Sequence, residues 1–163
     1  FMTSDLKDRA TLDINFCKML LLLYIADLDL EKSKYKIPDI NFLLKLLDNS
    51  MDVKKESIYS LMVALKGLNY KISPELWENF YINEYINSNT SSDSLTTNLY
   101  LILEESIKKR NLAEVVLITI DLLNTQRKRG TDYYVIYKAI NALNDIGLRK
   151  HARNFGLEIN LDI

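Results

Sequence analysis

The side chains with the clearest claim to chemistry are His151, Cys17 and the adjacent pair Glu104-Glu105. His151 is the single histidine, in "GLRKHAR" at 147–153, and Cys17 is the single cysteine. A zinc-type site draws on several such ligands, so one of each makes no metal set. A histidine acting as general base needs a nucleophile in register, and no Ser, Cys or Asp stands in a recognisable partner motif. The cations at 149, 150 and 153 disfavour its protonation, so His151 reads as a solvent-facing residue in a first helical turn. Cys17 lies in an apolar run and reads as a buried, inert thiol. Glu104 and Glu105 each have a lysine four residues later, Lys108 and Lys109, the spacing at which a helix pairs charges on its surface. They read as a solvated face rather than an acid pair. With no phosphate-cradling glycine loop, H-E-x-x-H or EF-hand loop, the expectation is a protein that is not an enzyme and has no cofactor or metal.

The elements around these residues follow from composition and punctuation. The chain has 163 residues, 48% hydrophobic and 26% charged, with 21 basic against 22 acidic side chains. That suits a single domain over 1–163, and the balanced charge gives no global attraction to nucleic acid. A lone thiol forms no internal disulfide, which points to a cytoplasmic setting. The longest apolar run, "MLLLLYIA" at 19–26, falls short of the roughly 20 residues of a membrane span, so no membrane partner is expected. Four glycines, two prolines and no sustained period-2 alternation leave an all-α chain.

Caps and stops predict eight helices. The first covers about 5–30, and the second starts at Pro38. The third, about 52–66, stops at Gly67 as a left-handed cap. The fourth follows Ser73-Pro74, and the polar "NSNTSSDS" at 87–94 is a loop. The fifth and sixth cover about 93–109 and 112–126. The seventh runs from Asp132 to about 146, Gly147 ends it, and the eighth starts at Leu148. Even-numbered helices thus begin near Pro38, Pro74, Asn111 and Leu148, a steady gap of 36 or 37 residues. Such a period marks stacked helical hairpins, which cannot bury their apolar faces alone. Four antiparallel hairpins in a short TPR-like α-solenoid are expected, with an irregular helical bundle as the alternative. The tetratricopeptide pattern of Trp, Leu-Gly and Tyr is not satisfied. Gly156 and Ala152 form a small-x-x-x-small face suited to close helix packing.

The stretch "RNLAEVVLITIDLL…YKAINALNDIGLRKHARNFGLEIN" resembles the C-terminal part of an uncharacterised bacterial family of alanine- and leucine-rich helical-hairpin proteins. The resemblance lies in Ala142-Leu143, Gly147-Leu148 and Ala152-Arg153 followed by an apolar helix, with "SPELWENF" a weaker echo upstream. It covers about the last third of the chain, which is richer in Asn, Lys and Ile than that family. The resemblance implies a TPR-like fold and carries no activity with it.

Two surfaces remain. Trp77, Phe80, Tyr81 and Tyr85 share helical spacing on the fourth helix, as do Tyr133, Tyr134 and Tyr137 on the seventh. Ten tyrosines exceed what a core of this size absorbs, because each buried hydroxyl needs a partner. Exposed rings at Trp77, Tyr81, Tyr133 and Tyr134 are therefore candidate protein contacts. The within-hairpin turns carry Lys32, Lys34, Lys36, Lys66, Lys71, Lys108, Lys109, Arg110, Arg149, Lys150 and Arg153. Cations at helix C-termini complement the macrodipole, but 149, 150 and 153 open a helix, where cations are disfavoured. Lys108, Lys109, Arg110, Arg149, Lys150 and Arg153 are candidate contacts to an anionic partner. The expected function is a non-enzymatic interaction module binding a protein or peptide, with nucleic acid or another polyanion along the turn edge as the alternative. In "ALNDIGLRKHAR" at 142–153, Leu143, Ile146 and Leu148 should be buried and Gly147 left-handed. Arg149, Lys150 and His151 should be exposed, with Arg153 beside them or paired with a carboxylate.

Overall fold

Sequence-encoded caps set most helix ends. A computed structural model describes residues 14–26, 38–51, 53–81, 94–129 and 132–161. Among them are eight α-helices and no strand: α1 Ile14–Ala26, α2 Ile40–Asp48, α3 Lys55–Gly67, α4 Pro74–Tyr81, α5 Ser94–Lys108, α6 Leu112–Arg129, α7 Tyr133–Asp145 and α8 Arg149–Leu161. Asp39 opens α2, its carboxylate accepting from the Asn41 amide at 3.0 Å, so Pro38 precedes that helix rather than starting it. The Ser73 hydroxyl accepts from the Leu76 amide at 3.4 Å. Asn111 accepts from the Glu114 amide at 3.4 Å and donates its own amide to the Glu114 carboxylate at 2.9 Å. Asp132 accepts from the amides of Tyr134 and Val135. Each satisfies first-turn amides that have no partner inside the helix. Among the described residues no helix is long and apolar enough to cross a membrane.

Three helices end in one and the same motif. Asn69, Arg110 and Gly147 have positive φ of 67°, 53° and 89°. In each case the next amide reaches back five residues: Tyr70 to Leu65, Asn111 to Ser106 and Leu148 to Leu143, at 2.9–3.0 Å. These are Schellman closures with the left-handed residue just past the cap. Gly67 is therefore not the left-handed stop that the sequence suggested; it lies inside α3 and Asn69 takes that role. At Arg110 a side chain occupies a conformation that L-residues resist by roughly 1–2 kcal/mol. Arg110→Gly should raise stability by up to about 1 kcal/mol, after the entropy that glycine adds to the unfolded chain. A urea melt showing no gain, or a loss, would mean that the arginine side chain stabilises the turn.

Packing centres on α3. Every residue from Ile58 to Leu65 is buried, and so is Gly67. A helix apolar on all sides must be surrounded. Tyr59 meets Tyr133 and Gly67 meets Ile140, so α7 lies beside α3 and parallel to it. Lys18 donates to Ser57, and the Tyr70 hydroxyl to the Tyr24 carbonyl, which makes α1 parallel as well. Asn160 bonds Ser60, and a β-carbon at Gly156 would lie 3.4 Å from that of Ala64, so α8 runs antiparallel to α3. The small face at Ala152 and Gly156 is thus a packing face. On the far side, Tyr100 meets Tyr134 and Glu104 bonds Lys138, setting α5 parallel to α7. The turns after α3, α5 and α7 consequently share one edge.

The spatial order of the parallel helices is α1, α3, α7, α5. A sequential stack would place α3 against α5; among the described residues its neighbour is α7 instead. The physical reason is that α7 is apolar on two faces. Tyr133, Ile136 and Ile140 enter the larger core with α1, α2, α3, α4 and α8. Val135 and Ala142 enter a second core with Leu103, Val115, Ile118 and Leu122 of α5 and α6. At the last turn Leu143, Ile146 and Leu148 are half-buried rather than buried; Leu143 covers the rim of the larger core and Ile146 that of the second. Nothing lies within 4 Å of where a Gly147 side chain would begin. Cys17 is buried.

Candidate functional site

One face of α7 is left half-covered. Tyr134, Tyr137, Lys138 and Asn141 follow helical spacing along it, and all four are half-buried. Trp77 of α4 borders one side, and Tyr100 and Glu104 of α5 border the other. The rings touch in series: Trp77 to Tyr137 at 5.3 Å, Tyr137 to Tyr134 at 5.9 Å, Tyr134 to Tyr100 at 5.8 Å between centroids. Two of these contacts are edge-to-face, the arrangement that ring quadrupoles favour. At the buried end Trp77 continues to Phe80, and Phe80 to Tyr59.

Two cations lie over this row. Lys66 Nζ stands 5.5 Å from the Trp77 ring centroid and Lys138 Nζ 5.6 Å from that of Tyr134, within cation–π range. Lys138 also donates to Glu104 at 3.0 Å. Burial alone would lower its pKa, but the hydrogen bond to Glu104, with the charges of Tyr134 and Glu104, holds it above the ordinary lysine value. Burial pushes the Tyr137 phenol up, against a smaller opposing pull from Lys138. The row is phenols and an indole beneath two lysine side chains. The set offers ring faces, hydroxyls and positive charge. Among the described residues no three His, Cys, Asp or Glu side chains converge to hold a metal.

The sequence-based candidates separate on this framework. Trp77 and Tyr134 belong to the row. Tyr133 does not: it is 8% exposed, with its ring against Tyr59 in the main core. It opens α7 on the side facing α3, one helical step from Tyr134. The side chain of Tyr81 lies outside the described residues, as does Tyr85. Tyr100 and Lys138 were not anticipated. Their signal is a matched pair of i,i+4 spacings, Tyr100/Glu104 and Tyr134/Lys138, which has meaning only once α5 lies beside α7.

The cationic edge is thinner than expected. Lys108, Lys109, Arg110, Arg149 and Lys150 are exposed, and so is His151. Lys109 pairs with Glu105 at 2.7 Å, which lowers the glutamate pKa and raises that of the lysine. Both are fully solvated, where such pairs count for little. Glu104 pairs across helices with Lys138 instead of with Lys108. Lys66 lies over Trp77, and Lys32, Lys34 and Lys36 fall outside the described residues. Arg153 does not join the exposed cations at the surface, the first of the two places the sequence had suggested. It is 6% exposed, and its Nη1 donates to the Ile25 carbonyl at 3.0 Å and reaches that of Tyr24 at 3.5 Å. These carbonyls belong to the last turn of α1, the negative end of the helix dipole. Comparison with family models, curated proteins and solved structures gives no match for this chain.

Proposed function

We propose that this chain is a non-enzymatic protein-binding module, a scaffold of helical hairpins that holds an aromatic row for a peptide segment of a partner. The observation that carries this is the series Trp77, Tyr137, Tyr134 and Tyr100 on three packed helices beneath Lys66 and Lys138. Half-exposed Trp and Tyr side chains on rigid elements lose little entropy on binding, and they supply both apolar area and hydrogen bonds. The two ammonium groups favour a partner with acidic side chains next to apolar ones. Polyanion binding along the turn edge is the weaker alternative, because Arg153 is buried and so withdrawn from that edge.

Trp77 is the only tryptophan, so binding beside it is readable by fluorescence. Peptides selected from a displayed random library should shift Trp77 emission on titration. Tyr134→Ala/Lys138→Ala should weaken them at least tenfold, about 1.4 kcal/mol, with a near-unchanged melting curve. Peptides binding the double variant as tightly as the parent would remove the row from the site. Retention on a heparin column that is lost in Arg149→Gln/Lys150→Gln, without any peptide selected, would support the polyanion instead.

A further inference from the structure

The α5–α6 hairpin has an outer face that no other described helix covers. On α6, Val115, Ile118, Thr119 and Leu122 are buried in the second core. On the opposite arc Leu112, Leu117 and Ile120 are exposed by 49, 64 and 48%, with Val116 and Leu123 half-buried between them. One packing surface needs an apolar stripe somewhat wider than 100°. The described part of α6 is apolar around most of its circumference, broken chiefly by Glu114 and Asp121. On α5, Leu101 and Ile102 are exposed by 62 and 43%. Half of the large hydrophobics that stand exposed among the described residues are therefore on this one hairpin. It is also the outermost layer, with α7 on its inner side and, among the described residues, no helix on its outer side. In stacked helical proteins an end layer that faces water carries a polar outer surface. This one does not.

We infer that a second copy of the chain docks here through its own α5–α6 face, making a two-fold dimer. Self-pairing covers the exposed face of both copies at once, whereas a head-to-tail contact would leave one open. The charges along α6 suit antiparallel pairing. Arg110 precedes its N-terminus and Asp121 lies eleven residues on, both exposed, while the apolar stripe from Leu112 to Ile120 lies between them. A two-fold axis near Val116 sets Leu112 opposite the partner's Ile120 and Arg110 beside the partner's Asp121. An 18-residue helix is about 27 Å long at its usual rise, and with a second helix alongside it gives a face of the order of 500 Å² in projection. That is commensurate with the roughly 800 Å² of accessible surface per partner in a standard stable interface. This surface is separate from the aromatic row, which α5 borders through Tyr100 and Glu104.

Sedimentation equilibrium of the full chain should give twice the monomer mass, dissociating on dilution. Leu117→Glu and Ile120→Glu change side chains that already face water. Each should raise the dimer dissociation constant at least a hundredfold while keeping the helical circular dichroism and the melting temperature measured at monomer concentrations. Arg110→Glu should weaken the dimer by about tenfold, and Arg110→Glu/Asp121→Arg should recover it, a rescue that a fault in folding would not give. A parent that is monomeric at its solubility limit overturns the proposal, as does a dimer indifferent to Leu117→Glu. A monomer that floats with phosphatidylcholine–phosphatidylserine vesicles and loses this in Leu117→Glu overturns it too, assigning the face to a lipid surface.

Discussion

Gly67→Ala is expected to destabilise the protein, although alanine is the better helix former and Gly67 is the last helical residue of α3. Helix propensity favours the substitution by about 1 kcal/mol. Against it, the new methyl carbon would lie 2.8 Å from both Cβ and Cγ2 of Ile140 and 3.2 Å from the Tyr137 carbonyl oxygen. Ile140 is fully buried and β-branched, with little rotamer freedom to withdraw, and the carbonyl belongs to the α7 backbone. Relief requires α3 and α7 to move apart along the central seam of the main core, and overpacking of this kind costs about 1–3 kcal/mol. The balance is a net loss of up to about 2 kcal/mol, or up to about 8 °C in melting temperature for a chain of this size. Gly67→Val should lose more. Ile140→Ala alone should cost about 2–5 kcal/mol through the cavity it leaves. Combined with Gly67→Ala it should cost less than the two separately, because part of the clash has gone. Urea melts of the four proteins close the cycle. Strict additivity, or a stabilised Gly67→Ala, would show that the helices are not held apart by this contact.

Arg153 gives the other large effect. Its guanidinium serves carbonyls of the final turn of α1 from within the core, and hydrogen bonds to a charged group commonly contribute about 1.5–3 kcal/mol. Arg153→Ala loses both that and the packing of the stem. Arg153→Met keeps most of the stem and should still lose about 1–3 kcal/mol, the penalty for carbonyls left without a donor. Lysine should not substitute fully, since it lacks the planar fork. None of the three should alter retention on heparin, whereas Arg149→Gln and Lys150→Gln, fully exposed, should leave the melting temperature unchanged. Equal stability of Arg153→Met and the parent would make the buried cation dispensable.

Both residues mark where one-dimensional reading stops. Glycine is used either for its left-handed freedom or for its missing side chain, and "GLN" at 67–69 holds two residues able to take the left-handed position. Asn69 takes it, and the identity of Gly67 is explained only by Ile140, which is far away in the chain. Arg153 sat in a run of cations and was read with them. Yet it lies one step round the helix from Ala152 and close to Gly156, the very face assigned to tight packing, so its burial was latent in the pattern. The caps at Ser73, Asn111 and Asp132 were legible because capping acts between residues three or fewer apart. The turn at Gly147 was legible for the same local reason. The order of the hairpins was not, since all of them share one periodicity and a single sequence records no long-range pairing. The aromatic row shares that limit: Tyr134 stood out, while Tyr100 gained meaning only beside it.

The placement of α7 between α3 and α5 has a consequence for how the protein is made. The larger core joins α1 to α4 with α7 and α8, and the chain interposes α5 and α6 between those two parts. During synthesis α3 leaves the ribosome long before the two helices that cover it, and it presents consecutive apolar residues meanwhile. Contacts so distant along the chain form slowly, because a long loop must be closed before they contribute. The nascent N-terminal portion therefore keeps apolar helix surface open until α7 and α8 follow. The α5–α6 hairpin, made of near neighbours, has no such delay and waits only for α7 to dock against it.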